Sequence, residues 1–174
     1  MKILITGSQG FIGKQLSKIL TNSGHEVRCT ARKYSSGDSA LRELITCDLE
    51  SADSLDHLTS GCEAIVHLSG RAHMMSDDPA KSESLYISAN VDVTRRLAQS
   101  AARNGVKRMI LMSSVKVNGE STTIDTPFTP HDTPNPQDPY GRSKTQAEHA
   151  LWEITSSAGL ELSLIHISEP TRPY

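Results

Sequence analysis

Tyr140 and Lys144 stand four residues apart in the run Tyr140-Gly141-Arg142-Ser143-Lys144. On a helix that spacing puts both side chains on one face. A free phenol has a pKa of about 10, too high for an efficient base near neutrality. A lysine cation one turn away favours the phenolate, so the pair is suited to moving a proton at a carbinol or carbonyl oxygen. A hydroxyl that polarises the same oxygen would complete such a site. Ser113 and Ser114, just after the apolar run Met109-Ile110-Leu111-Met112, are the candidates. Taken alone, the Tyr/Lys pair reads as a solvent-facing helix start and the serines as strand-end turn residues.

The other end of the chain supplies what the pair lacks. Thr6-Gly7-Ser8-Gln9-Gly10-Phe11-Ile12-Gly13 follows the apolar Ile3-Leu4-Ile5 and precedes Leu16, Ile19 and Leu20 at helical spacing. Strand, glycine turn and helix in that order form the context in which such a turn binds a dinucleotide. Gly7 permits a tight turn, Gly10 leaves the backbone open to a pyrophosphate, and Gly13 lets helix and strand pack closely. The helix N-terminus adds N–H donors and a positive dipole end. A nicotinamide held there would exchange hydride at the carbon whose oxygen Tyr140 serves. The spacing is G-x-x-G-x-x-G, and glycines alone are a weak signal; an ordinary glycine-rich turn is the plain alternative.

The elements that must position these residues follow from periodicity and punctuation. Strands are expected at 3–6, 26–31, 44–46, 64–68 and 108–112, and helices at 11–23, 84–104 and 140–157. Ser54 is expected to cap a short helix carrying Leu55 and Leu58. Gly24 and Gly105 close helices. Residues 35–39 and the proline-rich 116–139 read as loops. Alternating helices and nearly continuous apolar strands predict an α/β fold, a doubly wound parallel sheet with ligand sites at the C-terminal strand ends.

Composition bounds the partners. The 174 residues suffice for one domain, and 18 Lys plus Arg against 20 Asp plus Glu leave a net charge of −2. That balance suggests neither a nucleic-acid nor an anionic-membrane partner. No apolar run approaches the ~20 residues of a membrane span, and because Met1-Lys2 leads straight into the first strand no signal peptide is expected. Cys29, Cys47 and Cys62 have no C-x-x-C spacing and read as reduced residues of a cytosolic protein. His73, His131 and His149 show no metal-ligand spacing, so no metal is expected. His67 reads as a packed strand histidine and Trp152 as packing of the last helix. Arg71, Arg95, Arg96, Arg103, Lys107 and Arg108 read as solvated charges.

Together the motifs resemble the extended short-chain dehydrogenase/reductases of the NAD-dependent epimerase/dehydratase family. The resemblance rests on the glycine turn, Asp48-Leu49, His67-Leu68-Ser69-Gly70, Asn90-Val91, Ser113 to Gly119 and Pro139 to Lys144. It is strongest to UDP-glucose 4-epimerase-like proteins and to reductases of nucleotide 4-ketosugars. It implies a Rossmann-like NAD(P)-binding domain over residues 1–161, without the family's substrate-binding part. Tyr140 would be the catalytic acid/base, Lys144 would lower its pKa and bind the nicotinamide ribose, and Ser114 rather than Ser113 would be the hydroxyl partner. Gly7, Gly10, Phe11, Ile12 and Gly13 would cradle the pyrophosphate. Asp48 and Leu49 would flank the adenine, and Leu68, Ser69 and Gly70 would line the cofactor. Asn90 would support the site from the long helix. The implied substrate is a nucleotide sugar, and the implied assembly is a homodimer through helices 84–104 and 140–157.

Three features leave alternatives open. The second strand ends Thr30-Ala31-Arg32-Lys33, without the acid that NAD-preferring members place on the ribose 2′-OH. Arg32 could instead pair with a 2′-phosphate, so NAD and NADP both stand, with a lean to NADP. Val117-Asn118-Gly119 replaces the family's frequent Val-Tyr-Gly. Residues 162–172 resemble the translation of a transposase adaptor used in sequencing-library preparation. Residues 162–174 are therefore expected to be a tail foreign to the gene, although Leu164-Ile165-His166-Ile167 has a pattern that permits a strand. An NAD(P)-binding module without turnover is the alternative to an enzyme.

Overall fold

In a computed structural model of the chain, residues 1–33, 43–72, 79–123 and 125–167 are described. The predicted loop at 35–39, His73 and the end of the tail lie outside them. Six strands form one parallel sheet: β1 (Lys2–Thr6), β2 (Glu26–Ala31), β3 (Glu43–Thr46), β4 (Ala64–His67), β5 (Arg108–Ser114) and β6 (Glu161–Ile167). Their spatial order is β3-β2-β1-β4-β5-β6. The order reverses between β1 and β4, which places a crevice at their C-terminal ends.

Successive residues of a strand face opposite sides of the sheet, and the core divides accordingly. Leu4, Ile65, Met109 and Leu111 face one cluster with Leu97, Ala101 and Leu151. Ile3, Ile5, Val27, Cys29 and Val66 face the other, against Leu16 and Leu20 of α1 (Phe11–Asn22). Ile19 departs from the expected face and is 58% exposed; Gly13 and Ser17, one turn apart, are the buried residues instead. The first cluster is covered by α2 (Asp56–Thr59), α4 (Val93–Arg103) and α5 (Pro139–Ala158).

Three expectations need correction. The long helix is not one regular helix from 84 to 104. It runs as α3 (Pro79–Tyr86), a π-helical segment (Ile87–Asp92) and α4. Trp152 does not pack inward but is 53% exposed on α5. Arg96 is engaged, not solvated, and donates to the carbonyls of Leu49, Glu50 and Ala52, whereas Arg103 and Arg108 stay more than half exposed in surface pairs with Asp56 and Glu161. Carbonyls in a turn need donors, and Arg96 reaches those of the turn after β3.

Arg28 was invisible as a structural residue in the sequence. It is buried in β2, where Nε donates to Glu43 Oε1 at 2.7 Å and Nη1 donates to the carbonyls of Leu58 and Ser60 at 2.7 and 2.8 Å. It thereby ties β2 to β3 and to the end of α2. β6 pairs with β5 in parallel register over seven residues, from Arg108↔Glu161 to Ser114↔Ile167.

Candidate active site

A cavity of about 720 Å³ opens at the C-terminal ends of β1 to β4. Its floor is the glycine turn. Gly7 has φ of +68°, and a Cβ there would lie 2.8 Å from Ser69 N. At Gly13 a Cβ would lie 2.2 Å from Gly7 O. Only glycine fits either place, so the turn can lie against both the β4 loop and its own helix. Gly10 is the N-cap of α1 and brings no side-chain hydrogen bond to the first turn. That end of the helix is a site for an anion. Phe11 is 85% exposed, and neither it nor Ile12 lines the cavity; what they offer to a phosphate is backbone.

Of the residues singled out from sequence, Gly7, Gly10, Arg32, Asp48, Leu49, Leu68, Ser69 and Gly70 line the cavity. Gln9, Thr30, Ala31, Lys33, Cys47, Glu50, Arg71, Ala89 and Val93 line it too. Most of these sit beside a residue the motifs do mark, so proximity in sequence was the available signal. Asp48 Oδ1 accepts from Glu50 N at 3.1 Å, which fixes the turn after β3. Leu49 is buried and joins the core. A polar rim, a glycine floor and an apolar wall of Leu49, Leu68 and Ala89 suit a dinucleotide.

The hydroxyl, tyrosine and lysine lie off this cavity, where β5 meets α5. Lys144 is buried, and its Nζ donates to Met112 O at 2.6 Å. Burial pulls its pKa down to about 8, against the opposing charge of Glu148; the side chain is still mainly a cation at neutral pH. Ser114, 1% exposed, ends β5 and accepts from Lys116 N at 3.2 Å. Tyr140 stands in the first turn of α5 with its ring centroid 5.9 Å from that of Tyr86.

The start of α5 is pinned to the chain just after Ser114. Asp138 is its N-cap, accepting from Gly141 N at 2.6 Å, and Pro139 follows as the first helical residue. The other carboxylate oxygen of Asp138 meets Lys116 Nζ at 2.6 Å. Burial works against the Asp138 charge, but the Gly141 N–H and Lys116 hold its carboxyl below the usual range. A Cβ on Gly141 would lie 2.8 Å from Lys116 O. This close packing sets the position of Tyr140 relative to Ser114. Asp-Pro before a helix is a readable cap signal, and it names Asp138 from sequence alone.

Asn90 joins the two halves of the site. From the π segment its Oδ1 accepts from Arg71 N at 2.8 Å, and Nδ2 donates to Arg71 O at 3.0 Å and to Ser143 Oγ at 2.9 Å. Single π turns occur frequently at functional sites, and this one aims Asn90 between the β4 loop and α5.

His67 is a fully buried strand residue with both ring nitrogens bonded, to Thr6 Oγ1 at 2.6 Å and Thr94 Oγ1 at 3.0 Å. The hydrogen-bond directions fix its tautomer. Thr94 Oγ1 gives its proton to Asn90 O at 2.5 Å, so it accepts from His67 Nε2–H. Thr6 Oγ1 accepts from Ser69 N at 3.3 Å and gives its proton to Nδ1.

A model of the NAD dependent epimerase/dehydratase family matches residues 3–171. The chain belongs to this family. It is 37% identical over 164 residues to UDP-glucose 4-epimerase of Vibrio cholerae, covering 94% of this chain and 50% of that protein. It is 30% identical over 170 residues to uronate dehydrogenase of Pseudomonas syringae pv. tomato, covering 95% of this chain and 58% of that protein. A short-chain dehydrogenase/reductase superfamily protein from Agrobacterium tumefaciens with bound NAD superimposes with a TM-score of 0.82 at 30% identity, covering 95% of this chain and 48% of that one. The chain spans about half the length of the curated relatives it matches. The Rossmann-like fold and the membership of an enzyme family of nicotinamide-dependent chemistry agree with the reading of the motifs. Among the described residues no helix is long and apolar enough to cross a membrane.

Proposed function

We propose that this chain is the cofactor-binding part of a nucleotide-sugar 4-epimerase or 4-ketosugar reductase. The observation that carries the reading is the pairing of a glycine-floored cavity with a buried Lys144 one turn from Tyr140, its Nζ donating to Met112 O. Bound nicotinamide would exchange hydride at the sugar carbon. Tyr140 takes or gives the proton on that carbon's oxygen, and the Lys144 cation favours its phenolate. Ser114 donates to the same oxygen. Gly7, Gly10 and the N–H groups of Phe11, Ile12 and Gly13 hold the pyrophosphate. Asp48 and Leu49 flank the adenine, Leu68 to Gly70 line the cofactor, and Asn90 braces that loop. Arg32 and Lys33 at the mouth admit a 2′-phosphate, so the reading includes NADP beside NAD.

The curated relatives support a sugar substrate: one is a UDP-glucose 4-epimerase and one a uronate dehydrogenase. An epimerase returns its cofactor to the starting state within each turnover, whereas a reductase consumes it. Absorbance of the reduced cofactor with UDP-hexoses and with a ketosugar separates the two. A Tyr140→Phe change that leaves both activities intact in the full gene product would sink the assignment of the acid/base.

A second reading is favoured by the share of its relatives that this chain spans. As it stands, it binds NAD(P) without turnover, and sugar oxidation by these 174 residues would refute that. The same proposal holds that residues 162–174 are adaptor-derived, supported by the run Leu162 to Arg172; sequencing the gene across the Glu161 codon decides it. A cytosolic setting is supported by three cysteines that form no disulfide. A homodimer through the helical stretches 84–104 and 140–157 is supported by the exposed Trp152, and sedimentation of a Trp152→Glu variant tests it.

A further inference from the structure

Glu50 and Arg71 meet at the wall of the cavity from loops that follow different strands. Arg71 Nη2 donates to Glu50 Oε1 at 3.0 Å, and the two side chains are only 34% and 25% exposed. Each is also held by the π segment. Ser88 Oγ donates to Glu50 Oε2 at 3.4 Å, while Asn90 bonds both the N–H and the carbonyl of Arg71. Ala89, between those two holders, lines the cavity itself. The sequence neighbours of the pair, Asp48 and Leu49 on one side and Ser69 and Gly70 on the other, are cavity residues too.

We propose that the Glu50–Arg71 pair is a bar that retains the dinucleotide, tying the loop after β3 to the loop after β4 so that the walls cannot part without breaking it. The proposal rests on the reading of the cavity as the cofactor site. Glu50 and Arg71 are positioning residues here: they act through the loops they join. A tie between two walls that both contact a ligand acts mainly on escape, and interface changes generally appear in the dissociation rate. Partial exposure keeps the effect modest, in the range of half-screened ion pairs.

The test is stopped-flow release of NADH and of NADPH from the 174-residue chain. Glu50→Gln and Arg71→Met are each expected to speed release about two- to fivefold. The double variant should be no faster than the faster single, because both remove one interaction. Arg71→Lys, which keeps the cation, should recover most of the retention. Ser88→Ala, which loosens Glu50 without touching a charge, should speed release slightly and serves if a charge variant misfolds. Unchanged release in the singles, or a double whose effect is the product of the two, overturns the bar while leaving the cavity reading intact. A wild-type chain that binds neither dinucleotide overturns the cavity reading and the bar with it. A purely structural role would lower the melting temperature without this non-additive change in release.

Discussion

The neutral state of His67 is a stability term with a defined pH window. Burial, and secondarily the Lys144 cation, lower its pKa from 6.5 to about 3. The unfolded chain protonates this imidazole below pH 6.5, and the folded chain refuses the proton until about pH 3. The unfolded state therefore binds more protons in between, and stability falls as pH drops through that window. At pH 5 the loss is roughly 2 kcal/mol, from 1.5 units below the unfolded pKa at 1.36 kcal/mol each. Geometry explains the refusal. Nδ1 accepts from Thr6, whose oxygen already accepts from Ser69 N; a proton on Nδ1 would face a hydroxyl proton. The assay is urea unfolding at several pH values between 7 and 4.5. With a slope of about 2 kcal/mol per M, the midpoint should fall by about 1 M between pH 7 and 5. His67→Asn, which has nothing to titrate, should start less stable and stay flat over the same range. A wild-type midpoint that does not move, or a variant that falls in parallel, refutes the reasoning.

Other consequences are local. Gly13→Ala puts a methyl 2.2 Å from Gly7 O, a backbone atom that cannot step aside, and should cost about 3 kcal/mol in urea unfolding. Glu148→Gln removes the charge that opposes burial at Lys144, so the Lys144 midpoint, followed by NMR of its Cε, should fall below about 8. A midpoint that stays put would show that Glu148 serves only its other partners, accepting from Ser113 Oγ and meeting His166 Nε2 at 2.8 Å. Arg32→Glu places an acid at the end of β2 and should weaken NADPH binding more than NADH binding in fluorescence titrations.

The sheet, its parallel sense and the glycine turn were legible because apolar runs and glycine spacing are local signals. The strand and helix that carry Ser114, Tyr140 and Lys144 were legible for the same reason. What the sequence withheld depends on contacts between distant segments. Arg28 looks like any charge in a strand until Glu43 and the carbonyls at the end of α2 surround it. Arg71 and Arg96 look solvated until the turn after β3 is folded beneath them. The π segment leaves no mark in hydrophobic spacing, since one extra residue per turn keeps Val91, Leu97 and Ala101 near the core. Ile19 and Trp152 were misplaced because an apolar residue at a helix margin faces either way until its neighbours are known.

Binding of a nicotinamide dinucleotide in the cavity over the glycine turn can be read residue by residue. Amide shift mapping on isotopically labelled protein tests it most directly. Addition of NAD or NADP should move the amide signals of Gly7, Gly10, Gly13, Ser69 and Gly70 together with saturation. Signals of Trp152 and the outer face of α5 should stay still. Saturating shifts elsewhere, or none at the glycine turn at millimolar dinucleotide, would mean that this cavity is not the dinucleotide site.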